Sequence, residues 1–281
     1  MGNISLKLSR DKIETLKETF KDYIKPSPSE YIDTFIQKDD LTISVYTSDK
    51  VVFQGNDAFF YASAYLDKKI SRQAGSDEVG TGDYFGPVCV CAAIVEEDEF
   101  PLLEKLGVTD SKQLSDDKIK EIAPVLIDKL KHSLLILDNE KYNQVHEQYN
   151  LNAIKAKLHN QAFINLKKKG YDIPRACYID EFAPRDLYFS YLLNEKEVFR
   201  DLIFETKAES SYPAVAAGSC IARFAFLEKM KAMENKYQMR FHLGAGEDTN
   251  KDIITFVNKY GKERLREVAK LHFKNSEIIK G

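Results

Sequence analysis

The chain has 281 residues, enough for two domains, and 43% of them are hydrophobic, so an ordinary core can form and disorder is excluded as a default. Its 41 Lys and Arg stand against 44 Asp and Glu, a net charge of -3, which excludes a globally basic nucleic-acid binder and confines any such surface to a local patch. Basic charge gathers late, with 13 Lys and Arg against 8 Asp and Glu between residues 223 and 280.

Residues 1–67 read as a unit of their own. Ile4, Leu6 and Leu8 alternate, which predicts a strand. Ile13, Leu16, Phe20 and Ile24 follow helical spacing, and Pro26 and Pro28 stop that helix. Residues 31–36 and 41–46 read as strands. In the second, Leu41, Ile43 and Val45 point inward while Thr42, Ser44 and Tyr46 point outward. A turn at 47–50 leads to a short strand at 51–54, and Asn56 caps a helix to about residue 66. Strand, helix, three strands and helix predict a small α+β domain, a curved antiparallel sheet with helices on one face and the other face open. Residues 68–73 are short and polar, and make the linker.

A second unit, 74–281, alternates strands and helices, which favours an α/β domain. Strands are expected at 76–79, 88–95, 133–137, 175–179 and 202–204. Ser115 caps a helix over 116–130, Gly170 closes a helix over 151–169, and a further helix spans 213–235. Two basic helices follow Gly244-Ala245-Gly246. The sharp Gly86-Pro87 turn predicts an antiparallel hairpin, hence a mixed sheet. The four cysteines, Cys89, Cys91, Cys177 and Cys220, have neither zinc spacing nor a disulfide pattern and read as core residues. No apolar run reaches the roughly 18 residues of a membrane span. The first residues lack the apolar block of a signal peptide, so a cytoplasmic protein with no membrane partner is expected.

The densest chemistry lies in Asp77-Glu78-Val79-Gly80-Thr81-Gly82-Asp83-Tyr84-Phe85-Gly86-Pro87. A dinucleotide fingerprint is excluded, because three residues separate Gly82 from Gly86 and a proline and strand follow where a helix is required. A carboxylate pair entering a buried sheet is costly unless a cation or partner meets it. Neighbours in a regular strand face opposite ways, so Asp77 and Glu78 reach one site only if the strand twists, bulges or ends there; the glycines favour an ending. Gly80 and Gly82 around Thr81 suit close approach to a sugar-phosphate. Asp180 ends a strand, where sites on open α/β sheets gather, although a helix cap explains it equally. Glu205 and Glu209 both precede the helix at Pro213 and suit its N-terminus. Lys112, in Asp110-Ser111-Lys112, suits a phosphate, or the segment merely caps a helix. His132, His146 and His159 sit in ordinary helical or surface contexts. His272, within Lys270-Leu271-His272-Phe273-Lys274, is a candidate for substrate contact or proton transfer.

These residues resemble the type 2 ribonucleases H, and the Val-Gly-Thr-Gly-Asp-Tyr-Phe-Gly-Pro form of the loop resembles the bacterial HIII branch. Asp110-Ser111-Lys112, Ile179-Asp180, Thr206-Lys207-Ala208-Glu209, the segment from Ala216 to Arg223 and Lys270-Leu271-His272-Phe273 match in order from residue 74 onward. Cys220 departs from the Ile or Val of the pattern. The resemblance implies an RNase H-like mixed sheet flanked by helices, preceded by a domain like half of a TATA-binding protein. It implies a monomeric endoribonuclease that hydrolyses the RNA strand of RNA/DNA hybrids with Mg²⁺ or Mn²⁺. Asp77, Glu78, Asp180 and Glu209 match the family's catalytic, metal-binding acids. Two ions roughly 3.5–4 Å apart would then activate water and stabilise the leaving oxygen. The resemblance further implies that Gly80, Thr81 and Gly82 meet 2′-hydroxyls, that Lys112 and Arg223 meet phosphate, and that the open N-terminal sheet face grips the hybrid. The alternatives are an HII-like enzyme that cuts at single ribonucleotides in DNA, and a hybrid-binding module without catalysis.

Overall fold

In the computed structural model, which describes residues 2–55, 58–65, 72–108 and 114–279, the chain divides into two units. One is Met1–Ser71 with Asp201–Ile203, the other Arg72–Arg200 with Phe204–Gly281.

The first unit holds an antiparallel sheet of β1 (Gly2–Lys7), β2 (Ile24–Lys25), β3 (Ile32–Lys38), β4 (Leu41–Tyr46) and β5 (Lys50–Gly55), in the order β1-β5-β4-β3-β2. Helices α1 (Arg10–Thr19), capped by the Ser9 side chain, and α2 (Ala58–Ser63) share one core with it. Ile4, Ile36, Ile43, Val51 and Phe53 enter that core from alternate strand positions, against Ile13, Leu16 and Ala62. Across the opposite face, register aligns Ser5, Val52, Ser44 and Phe35 in one row and Gln54, Thr42 and Gln37 in the next.

Two expectations fail here. The first helix stops at Thr19, and Ile24 lies in an edge strand, 44% exposed, paired with Ile36. Lys25 precedes Pro26, whose ring disfavours a helical Lys25, so the extended backbone pairs with β3 instead. Ser44, expected on the open face, is buried, since Phe35 and Val52 flank its small side chain on the neighbouring strands. Asn56 lies outside the described residues, as does most of the expected linker; Gln73 already belongs to the next strand.

The second unit is built on β6 (Gln73–Val79), β7 (Val88–Val95), β8 (Lys131–Leu137), β9 (Cys177–Asp180) and β10 (Ile203–Glu205), ordered β10-β9-β6-β7-β8. β6, β7 and β8 pair antiparallel and β6 with β9 parallel, so the sheet is mixed, with the hairpin at Gly86-Pro87. Its helices are α3 (Phe100–Leu106), α4 (Asp116–Lys129), α5 (Asn139–His146), α6 (Leu151–Lys168), α7 (Arg185–Ser190), α8 (Pro213–Tyr237) and α9 (Glu247–Tyr260). β7 is buried along its whole length because both faces are covered. Cys89, Cys91, Ala93 and Val95 join the core with α4 and α8, and the alternate residues face α6.

α8 lies directly on the sheet. A Cβ added to Gly75 would come 2.5 Å from the Val215 nitrogen, and one on Gly218 would come 2.7 Å from the Cys91 oxygen. Only glycine permits this approach. After Gly246 there is one α-helix, α9, with an acidic first turn; the expected second basic helix is replaced by 3₁₀ segments at Lys262–Glu267 and Lys274–Ile279. α3, α5 and α7 were not expected. Each spans two turns or so, too few for an apolar period to show.

Candidate active site

β6 stays regular through Val79, so Asp77 and Glu78 leave it on opposite faces. The strand does not break at Glu78; the chain turns only at Gly80. Asp77 pairs with Cys91 and faces α8, where it takes a hydrogen bond from the Ser219 hydroxyl and one from the Glu78 N–H at 2.8 Å. Glu78 pairs with Val90 and faces α6. There Lys155 Nζ lies 2.5 Å from its Oε1 and His159 Nε2 2.8 Å from its Oε2. His159 is fully buried, with Nδ1 2.8 Å from Ser76 Oγ, so the expectation of an ordinary helical histidine is corrected.

The two acids are tuned apart. Burial, together with the charges of Glu78 and Asp180, pushes the Asp77 carboxyl up to about 7 despite its hydrogen bonds. Burial also pushes Glu78 upward, but the His159 hydrogen bond and the Lys155 charge outweigh it and hold Glu78 below the ordinary range.

β9 runs beside β6 in parallel, with Ile179 next to Ser76. One step further along that register, Asp180, the last residue of β9, stands next to Asp77. Asp180 Oδ1 accepts the Ala208 N–H at 2.8 Å and so fixes the 3₁₀ turn Ala208–Ser210 that carries Glu209. Glu205, the other acidic candidate, accepts the Tyr212 hydroxyl at 2.9 Å, and Tyr212 stacks on Tyr178. Among the described residues, no three acidic, histidine or cysteine side chains already close on one point as a metal cage. The donors are nonetheless all carboxylates. They suit a hard divalent ion that keeps waters and takes substrate phosphate as a ligand, and the crowding that raises Asp77 is what a cation would relieve.

The glycine loop is built to two different demands. Gly80 has φ +95°, and a Cβ there would lie 2.2 Å from the Pro87 oxygen, so glycine is required by the fold. Gly82 is exposed with open space around it, and Thr81 beside it is partly exposed. The loop is strapped from the C-terminal part of the chain. Tyr84 N–H donates to Gly244 O at 2.9 Å and Gly86 N–H to Val268 O at 2.9 Å. Lys270, fully buried, donates from Nζ to Asp83 O at 2.7 Å and Gly86 O at 2.5 Å, and Asn139 adds a bond to Gly86 O. Burial lowers the Lys270 amine to about 7.

The remaining candidates fall around this centre. Arg223 lies one helical turn beyond Ser219 on α8, and its guanidinium forks onto Asp116 at 2.9 and 3.1 Å. His272 stacks on His146 at 4.1 Å, with Nδ1 3.4 Å from the Tyr142 hydroxyl. Burial, then the charges of His146 and Lys270, hold it down at about 4. Lys112 lies outside the described residues. Ser219, Lys155, His159 and Lys270 were not singled out from sequence. One signal was present: Lys155 and His159 are four apart on a helix and Ser76 and Glu78 two apart on a strand, so each pair shares a face.

Comparison with known proteins agrees with this architecture. Residues 74–276 match the family described as Ribonuclease HII, and residues 3–78 match a domain of unknown function. A ribonuclease HIII from Streptococcus pneumoniae (strain CGSP14) is 39% identical over 289 residues, covering 100% of this chain and 99% of that protein. The crystal structure of Bst-RNase HIII in complex with Mn²⁺ superposes with a TM-score of 0.72 at 32% identity, covering 99% of this chain and 97% of that one. Aquifex aeolicus RNase H3 shares the fold, with a TM-score of 0.62 at 22% identity, covering 96% of this chain and 100% of that one. The chain therefore belongs to the ribonuclease HII family, and its full-length likeness is to the members called ribonuclease HIII.

Proposed function

We propose that the protein is an endoribonuclease that hydrolyses the RNA strand of RNA/DNA hybrids with the help of Mg²⁺ or Mn²⁺. The observation that carries this reading is the meeting of Asp77 and Asp180 on the adjacent parallel strands β6 and β9, where burial first, then the charges of Glu78 and Asp180, push the Asp77 carboxyl up to about 7. Asp77 and Asp180 would share the metal, Glu209 would complete one side, and Glu78, which leaves β6 on the other face but whose charge still reaches Asp77, would complete the other; the Mn²⁺ complex of Bst-RNase HIII supports that choice of ion. When bound, the divalent ion supplies activation of water and stabilisation of the leaving oxygen. Ser219 orients Asp77 through its hydroxyl, and His159 orients Glu78 beside the Lys155 ammonium. Thr81 and the backbone of Gly80 and Gly82 approach the 2′-hydroxyls, the groups that separate RNA from DNA. Arg223, Lys112 and His272 serve the substrate around them. The N-terminal unit, residues 1–67, binds the hybrid by shape, ahead of the catalytic unit.

The protein acts as a cytoplasmic monomer in this reading; no helix among the described residues is long and apolar enough to cross a membrane. The test is cleavage, with Mg²⁺ and with Mn²⁺, of a continuous RNA/DNA hybrid beside a duplex holding one ribonucleotide. Efficient cutting within the continuous hybrid is expected. Cutting confined to the single-ribonucleotide duplex would replace the substrate, and binding without cutting would remove the enzyme.

A further inference from the structure

Glu78 already has a cation beside it. Lys155 Nζ sits 2.5 Å from Oε1, with both side chains only 10% exposed, and the same ammonium lies 3.9 Å from the centre of the Phe182 ring. Its charge is therefore met by one carboxylate and one aromatic face, away from water. The other oxygen, Oε2, is taken by His159, whose second nitrogen is held by Ser76. His159 is anchored at both ring nitrogens, to Ser76 and to Glu78. The two α6 residues thus do different things: His159 fixes the orientation of Glu78, and Lys155 supplies charge. Asp77, on the opposite face of β6, takes its side-chain hydrogen bond from the Ser219 hydroxyl.

We propose that Lys155 is an internal counter-cation that sets how tightly the acidic site takes up a divalent ion. It satisfies Glu78 before any metal arrives, and a metal that uses Glu78 must share the carboxylate with it. The ammonium is buried, so it does not move off into solvent to make room; an unpaired charge there is strongly unfavourable. Its repulsion of an incoming cation is weakly screened for the same reason. Lys155 thus lowers the affinity of the site, while a residue that merely held Glu78 in place would raise it. Lys155 is a positioning residue in this account, and the inference rests on the acidic-site reading given above.

The test is calorimetric titration of Mn²⁺ into the full chain without substrate, at fixed pH and ionic strength, with circular dichroism to confirm folding. Lys155→Met is expected to bind Mn²⁺ on the order of tenfold more tightly than the wild type, as removal of a nearby buried positive charge requires. Lys155→Arg, which keeps the charge, is expected to bind as the wild type does. Lys155→Gln serves the same comparison if the methionine variant does not fold. Unchanged or weaker affinity in the neutral variant overturns the inference and leaves the acidic site standing. Asp77→Asn separates the two: if it binds Mn²⁺ as well as the wild type does, the acidic-site reading fails and the inference falls with it.

Discussion

At the scale of single residues, the strand geometry of Asp77 and Glu78 decides most of the chemistry. Replacing Asp77 by Asn removes a charge at the point where three acids crowd. Hybrid cleavage is expected to fall by on the order of 10³-fold or more, with hybrid affinity largely kept, as measured by single-turnover kinetics beside a binding assay. Gly80 and Gly82, two residues apart, separate folding from binding. Gly80→Ala forces a side chain onto the Pro87 oxygen at a positive φ and is expected to cost about 2 kcal/mol or more in urea unfolding. Gly82→Ala meets nothing within the protein, so stability stays close to wild type while the KM for hybrid rises. Asp77, Glu78 and the glycine loop stand out in sequence because they are contiguous and chemically distinctive, whereas Glu209 is separated from Glu205 only by the family resemblance. Lys155 and His159 were not, because a Lys and a His on an amphipathic helix look solvated until the strand they face is known.

Elements position these residues through contacts that leave little freedom. α8 rests on β6 and β7 at Gly75 and Gly218, which sets Ser219 against Asp77. The far end of α8 is tied by Glu267, which accepts from Arg264, Tyr237 and Lys236 and is held down to about 2. A carboxylate depressed in the folded state stabilises above its unfolded value near 4.5, and that contribution disappears as pH falls through about 2. Glu267→Gln is therefore expected to lose about 2 kcal/mol at pH 7 in urea unfolding, with the gap to wild type closing between pH 4.5 and 2. The long, strongly patterned elements, such as β7 and α6, were readable in advance. The end of α1 was not, since Ile24 continues the helical period although Pro26 forces its neighbour into an extended backbone.

At the scale of the whole molecule, the two units match separate families, and the proposal gives them separate tasks. Deleting residues 1–70 is expected to weaken hybrid affinity at least about tenfold while turnover at saturating substrate changes little, as steady-state kinetics over a wide substrate range would reveal; a KM left unchanged would end the N-terminal role. A net charge of -3 fits this division, because only local surfaces need to meet phosphate. The division into two units was visible from composition and element order, but the dependence of the early glycine loop on late residues was not. That strap has a consequence for a truncated chain. The candidate acids all lie at or before residue 209, whereas Val268 and Lys270, whose bonds help hold the loop, come much later. A chain cut before residue 268 keeps those candidate carboxylates and the loop bonds to Gly244 and from Asn139, but loses the ones that Val268 and Lys270 make. The loop beside the acids is thus held from segments far apart in the chain, and losing the last of them loosens it without removing a single carboxylate.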